Sequence, residues 1–239
     1  MKRKLFTSRR RKKQGKLQRF IVWSWRIVLV ALILDLAYLI AIWPNWTQLR
    51  DGKIPTSRFM RDYQAQQGPM AWQPVKLTAI PQYLQHSIIT AEDARFYSHH
   101  GFDLLAFKEA MDTNLKLKKL RYGASTISQQ TTKNLFFTSS KNPLRKWHEL
   151  ILTLAMEMQL DKKRILEIYL NVAEFGKGVY GVQAASQHYW QTPIHTINQT
   201  QAIELAATLP SPVKDNPHTR TSRFLQRKQR IANWLAQQK

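Results

Sequence analysis

Apolar and polar positions along this chain follow two different patterns. From residue 21 to 43 runs IVWSWRIVLVALILDLAYLIAIW, 23 residues interrupted only by Arg26 and Asp35 among strongly polar groups. A bilayer core about 30 Å thick needs about 20 apolar helical residues, so this length predicts a membrane-spanning helix. Trp23 and Trp25 at one end, with Trp43 and Trp46 at the other, resemble an aromatic belt, and Arg26 can snorkel outward. Asp35 costs about 2.5–3.5 kcal/mol near the middle of a bilayer. The sixteen residues at 27–34 and 36–43 are apolar enough to outweigh it. The run is too long for a typical signal-peptide core, and Ala37-Tyr38-Leu39 and Ala41-Ile42-Trp43 both fail as small-x-small cleavage sites. The segment therefore reads as an uncleaved anchor rather than a signal peptide or a buried core helix.

Past the anchor the pattern changes. Residues 44 to 75 hold four prolines among scattered polar groups and read as a linker. The remainder, 76 to 239, has helical spacing. One or two short helices are predicted over 81–99, and another over 102–119, where Leu104, Leu105, Phe107, Met111 and Leu115 recur. LRKWHELILTLAMEMQL, residues 144 to 160, is apolar nearly all round after its first turn, which predicts a core helix. Asp161 can cap the next one, KKRILEIYLNVAEF. Residues 200–209 and 221–238 add two more, the last amphipathic and basic. No run of alternating strands and no internal repeat is visible. The expected fold class is mainly α.

Charge narrows the partners. The net charge is +22, and residues 1 to 20 contribute ten Lys/Arg and no acid. By the positive-inside rule this tail is cytoplasmic and everything after Trp46 lies across the membrane. The basic surface favours polyanions such as anionic lipid or a phosphorylated substrate. The orientation argues against nucleic acid. There is no cysteine, which removes disulfides and thiolate metal sites but identifies no compartment.

Four polar stretches carry candidate chemistry. In AEDARFYSHHG, residues 91 to 101, a helix continuing past Glu92 would put Phe96 on its face and His99 about 20° away. A carboxylate beside aromatic rings is partly desolvated, and its pKa rises toward the range useful in a general base. No HExxH-type spacing supports a metal site. His99 and His100 read as structural donors holding the turn before Gly101. In RYGASTISQQTTKNLFF, residues 121 to 137, Ser125 or Thr126 can cap a helix presenting Gln129, Gln130 and Lys133. Neutral donors with one fixed cation suit sugar hydroxyls and phosphate oxygens, and an N-capped surface helix explains the same residues equally well. Phe136 and Phe137 read as core or, with the variable segment 103–120, as a membrane-facing edge. In LRKWHEL, Arg145 and Lys146 stand four and three residues before Glu149, an ion-pair spacing at what should be a partly buried helix mouth. FGKGVYGVQAASQHYW, residues 175 to 190, lacks the spacing of a nucleotide loop and reads as a tight turn feeding a helix. Ser211-Pro212-Val213-Lys214 matches an SxxK nucleophile pattern, but KTG and SDN are missing and a Pro-bounded turn explains it.

In this order, the stretches resemble glycosyltransferase family 51, the peptidoglycan polymerases, in their monofunctional form without a transpeptidase domain. EDARFYSHHG looks like the family's EDxxFxxHxG, GASTISQQTTKN like GxSTxxQQxxKN, RKWHE like RKxxE and KKRILEIYLN like KxxILExYLN. FGKGVYGVQAAS resembles the fifth motif, with Trp190 where Phe is more usual. The resemblance covers about residues 90 to 190. It implies a lysozyme-like helical domain at the outer face of a bacterial inner membrane, joining glycan on undecaprenyl pyrophosphate to lipid II with inversion. It also implies Glu92 as general base and Glu149 as second acid near the leaving group. Lys133, Arg145 and Lys146 would be phosphate-contacting or supporting cations. Ser125, Thr126, Gln129 and Gln130 would form the donor-site wall, with Asn134 closing the same motif. Lipid II, the nascent glycan and membrane lipids are the implied partners, together with other cell-wall synthesis or division proteins. No cofactor is obligatory, though carboxylates and pyrophosphate together can hold Mg2+ or Mn2+. The rival readings are a membrane-bound lytic glycosidase and a basic membrane-tethered binding scaffold.

Overall fold

The computed structural model describes residues 3–118, 123–138 and 142–237. The predicted segment ends at 119, 121–122 and 238 fall outside those ranges. The elements in chain order are α1 (Arg3–Ala41), α2 (Trp46–Asp51), α3 (Arg58–Gln67), β1 (Ala71–Trp72), α4 (Gln82–Glu92), α5 (Leu104–Leu117), α6 (Ile127–Phe136), α7 (Pro143–Gln159), α8 (Lys162–Val172), β2 (Glu174–Gly176), β3 (Val179–Tyr180), α9 (Val182–Trp190), α10 (Gln199–Thr208) and α11 (Ser222–Gln237). The fold is mainly α, as the periodicity requires.

The chain divides into two units, residues 1–44 and 45–239. The first is α1, one helix running without a break from the basic tail through the apolar run. Its apolar stretch reaches a mean hydropathy of 2.4 and is long enough to cross a membrane. The Arg26 guanidinium sits 5.6 Å from the centre of the Trp23 ring. Pro44 disfavours helical backbone at the residue before it, and α1 ends just ahead of it.

In the second unit α8 is the central helix, with Ile165, Leu166, Ile168, Tyr169, Leu170 and Val172 buried on nearly every side. Asp161 caps it as expected, accepting from Arg164 N at 2.7 Å. Helix α6 packs against α8 and α7, while α10 packs against α4 and α11. Helix α7 is less buried than its composition implied. Leu152 and Met156 are in the core, but Leu144, Trp147, Leu154 and Met158 are exposed on its outer side. Phe137 is buried and Phe136 meets Trp46 edge-on at 6.1 Å, so of the two readings for this pair the core one holds.

Residues 44 to 75 are not a free linker. They fold as α2, α3 and β1, and Met60 is fully buried. Arg164 donates to the carbonyls of Leu49 and Gly52 at 2.8 and 2.6 Å. Asn171 accepts from Val75 N at 2.8 Å and donates to Val75 O at 2.9 Å. The prolines and polar residues of this segment hid it because its attachments are backbone groups held by side chains of α8.

Strands absent from the sequence reading are present but very short. β3 pairs in parallel with β1 and antiparallel with β2, with Ala71 opposite Val179 and Trp72 opposite Tyr180. Two or three residues are too few to reveal an alternating period. The glycine stretch is the turn feeding a helix that was expected. Gly181, the N-cap of α9, has φ +79, and a Cβ there would lie 2.8 Å from Asn171 O. The Ser211–Lys214 segment is a turn, with Lys214 N donating to Ser211 O at 3.0 Å.

Met60→Ala should destabilise the protein by about 2–5 kcal/mol, the range for emptying a buried methionine site. Denaturant unfolding of the detergent-solubilised chain measures it. A change within about 0.5 kcal/mol, as for surface substitutions, would return this segment to the status of a linker.

Candidate active site

Helix α4 ends at Glu92, so the continuous helix that would align Glu92, Phe96 and His99 does not form. Asp93 breaks it, with φ −164, and becomes the fixing point of the site. Its carboxylate accepts from Ile127 N, at the start of α6, at 2.9 Å, and both its oxygens lie 3.0 Å from His99 Nε2. Gly101 N donates to His99 Nδ1 at 3.1 Å, so the ring proton is on Nε2 and points to Asp93. Thr126 Oγ1 donates to Gly101 O at 2.8 Å. The first and second polar stretches are thereby stapled together, and His99 is the structural group anticipated.

Glu92 then faces three neighbouring elements. Gln130 Nε2 donates to its Oε2 at 2.9 Å, and Arg227 donates to its Oε1 at 2.6 Å. The Gln130 carbonyl accepts from Tyr169 OH at 3.0 Å, which commits the amide NH2 to the carboxylate. Glu92 has a side-chain exposure of 11%. Burial raises its pKa above the ordinary carboxylate range, while the Arg227 charge and the hydrogen bonds from Gln130 and Arg227 hold it back. A carboxylate raised in this way accepts a proton more readily than an exposed one.

Two cavities open on this residue. One has a volume of about 1110 Å³ and runs along α11 past Gln130 and Ser125. The other, about 240 Å³, lies by Arg95, Ser125 and Thr126, and Trp234 lines both. Ser125 is exposed at their common rim. Thr126 is buried and spends its hydroxyl on Gly101 and the α6 cap. The Gln129 side chain turns back to Thr126 N, completing a capping box, and it is buried and lines neither of these two cavities.

The second acid sits on α7. Glu149 is buried and has a cation on each oxygen, Arg145 Nη1 at 2.6 Å on Oε2 and Lys146 Nζ at 2.5 Å on Oε1. The pair spacing read from the sequence is realised, with deeper burial than a helix mouth suggests. An exposed pair of this kind contributes at most about 1 kcal/mol, whereas stripping partners from a buried charge is far costlier. Lys133 is half-buried and lies 5.6 Å from the Phe59 ring centre. Burial and the charges of Arg145 and Lys146 lower its pKa, and Glu149 raises it. It stands one helical turn beyond Gln130, so α6 links the surroundings of the two acids. Glu149, Arg145, Lys146, Lys133 and the half-buried Asn134 line neither of the two cavities. Among the described residues no group of three or more His, Asp or Glu could hold a metal ion.

A family model described as Transglycosylase matches residues 61–236. The chain belongs to the transglycosylase family. Among its curated relatives is the biosynthetic peptidoglycan transglycosylase of Methylobacillus flagellatus, 40% identical over 87% of this chain and 93% of the relative. Proteins of that name from Marinomonas sp. and Nitrosomonas eutropha are each 38% identical. The first match covers 95% of this chain and 93% of its own, the second 90% and 91%. The match spans the four polar stretches and reaches α11, which the sequence reading left as a merely basic helix.

Arg227 and Tyr169 are the residues that reading missed in this transglycosylase. Tyr169 was not singled out in KKRILEIYLN, and its hydroxyl partner is 39 positions away. Arg227 lies 135 positions from Glu92, and the one signal for it was the 4-3-4 spacing of Arg223, Arg227, Arg230 and Trp234. Arg227→Gln should move the acid limb of the kcat/KM profile to higher pH. The sign follows from the guanidinium favouring ionised Glu92: without it the carboxyl keeps its proton to higher pH and is inactive as a base there. A limb that stays put or moves down in a pH series would detach Arg227 from the ionisation of Glu92.

Proposed function

We propose that this transglycosylase polymerises peptidoglycan glycan chains, transferring the growing glycan from undecaprenyl pyrophosphate to the GlcNAc 4-hydroxyl of lipid II. The observation that carries the reading is the mostly buried Glu92 carboxylate, held by Gln130 and Arg227 on the wall of a large cavity and with a raised pKa. In the proposed step Glu92 takes the hydroxyl proton as the oxygen forms a bond to C1 of the donor MurNAc. The C1–oxygen bond to pyrophosphate breaks, and pyrophosphate leaves with the electron pair. Attack from the face opposite the leaving group inverts C1 and gives a β-1,4 link. Glu149 with Arg145 and Lys146, and Lys133 beside them, form the cationic neighbourhood assigned to the departing diphosphate. Charge grows on that group in the transition state, so fixed cations favour it over the ground state. A hydrolase cutting an uncharged glycoside has no need of such cations, which disfavours the lytic alternative. The reading assigns no obligatory cofactor. Any Mg2+ or Mn2+ would draw its oxygen ligands mainly from the pyrophosphate, with at most one or two carboxylates of the protein.

The substrate's lipid requires a membrane. The proposed topology is a single-pass inner-membrane protein with a cytoplasmic N-terminus and a periplasmic catalytic domain, and α1 is compatible with it. A second apolar surface supports the same setting. α5 buries none of its residues, and Leu104 and Leu115 are 72% and 69% exposed. Exposed apolar surface of this extent marks contact with a partner or a membrane. We assign it to the bilayer, without Phe136 and Phe137, which pack inward.

Glu92→Gln should lower lipid II polymerisation by about 10²–10⁴-fold or more, as for loss of a general base. Glu149→Gln should also lose most activity. Unchanged turnover by Glu92→Gln would support a binding scaffold, and degradation of finished sacculi without polymer growth would support the lytic enzyme. A triple change, Leu104→Ser, Leu105→Ser and Leu115→Ser, should raise KM several-fold for lipid II in vesicles and spare turnover of a short-chain soluble analogue. Equal effects on both substrates would remove α5 from the membrane.

A further inference from the structure

Helix α11 presents Arg223, Arg227, Arg230 and Trp234 to the large cavity. Spacings of four, three and four keep them on one stripe of the helix. Two of the three cations already have partners. Arg227 is spent on Glu92 at 2.6 Å, and Arg223 lies 3.8 Å from the Asp215 carboxylate, which also accepts from Thr221 at 2.6 Å. Arg230 is exposed and has no acidic partner among the described residues. The cavity thus carries one uncompensated positive charge, one helical turn from the arginine that holds the catalytic base. Trp234 extends the stripe with a half-exposed indole, a flat apolar surface suited to a sugar ring. The cavity volume of about 1110 Å³ lies at the upper end of small-molecule sites, so it accommodates more than one pyranose.

We infer that Arg230 is a specificity-determining residue that receives a carboxylate of the peptide carried by the acceptor substrate. The inference rests on lipid II being the acceptor. With its reacting hydroxyl at Glu92, the peptide-bearing sugar is the next ring along and falls within the same cavity. A guanidinium binds a carboxylate through two parallel N–H bonds, which orients the group as well as attracting it. The phosphates of the substrate are the competing source of negative charge for Arg230, and the test separates the two.

Full-length wild type, Arg230→Gln and Arg230→Lys would be assayed in detergent on two substrates: lipid II with free peptide carboxylates, and lipid II with those carboxylates amidated. Amidation should raise the wild-type KM by about two- to fivefold, the range for a solvent-accessible charged contact. Arg230→Gln should raise KM by the same factor on the free-acid substrate, leave KM on the amidated one unchanged, and leave kcat near wild type on both. Arg230→Lys should recover part of the loss. Equal penalties on both substrates would reassign the anion to the phosphates and overturn the inference, as would no penalty on either. Thermal melting of the variants checks that the exposed substitution leaves the fold intact. Wild type failing to extend unmodified lipid II would instead overturn the polymerase reading, and this inference with it.

Discussion

A carboxylate withdrawn from water keeps its charge only where other groups replace the lost hydration, and the candidate site depends on how this is done for Glu92. The residue is the last of α4, with no further turn of its own helix to support it. Its solvation comes from Gln130 on α6 and Arg227 on α11, and Gln130 is itself oriented by Tyr169 on α8. Four helices therefore converge on one carboxyl group. Burial pulls its pKa up and the surrounding donors pull it down, and a usable base requires both. Asp93, adjacent in the chain, acts through position. By anchoring His99 and the first N–H of α6, it keeps α6 where Gln130 can reach.

The two acids of the site are solvated in different ways, consistent with different tasks. Glu92 has one cation and one neutral amide, and its basicity is enhanced by burial. Glu149 has a cation on each oxygen, both supplied by the preceding turn of its own helix. A carboxylate with a cation on each oxygen is well suited to holding those two cations in fixed positions. Lys133 joins that group under mutual repulsion from Arg145 and Lys146 and attraction to Glu149. Such a cluster has cationic capacity to spare, and the diphosphate proposed for it would relieve the repulsion within it.

The apolar surface shows the same division between what folding consumes and what it leaves available. α8 and α10 bury nearly everything apolar they carry, whereas α5 and the outer side of α7 keep theirs exposed. A 14-residue helix with no buried side chain derives little stability from tertiary packing, and in water alone it would be marginal. The lipid contact proposed for α5 would stabilise the helix.

The sequence by itself determined the apolar run of α1, the helical class of the domain, the approximate limits of the later helices, the caps of α6 and α8, and the Arg145–Lys146–Glu149 cluster. All of these are set within one helix, by a period of 3.6 or by neighbours three and four residues apart. The ordered polar stretches also identified Glu92 as the candidate base. The tertiary structure alone decided that α4 stops there, that Gln129 turns inward to cap α6, and that residues 46–72 belong to the domain. It alone brought Tyr169 and Arg227 into the site. Those outcomes rest on hydrogen bonds between groups as far as 135 residues apart, which leave no periodic trace in the chain and exist only once packing has closed the intervening loops.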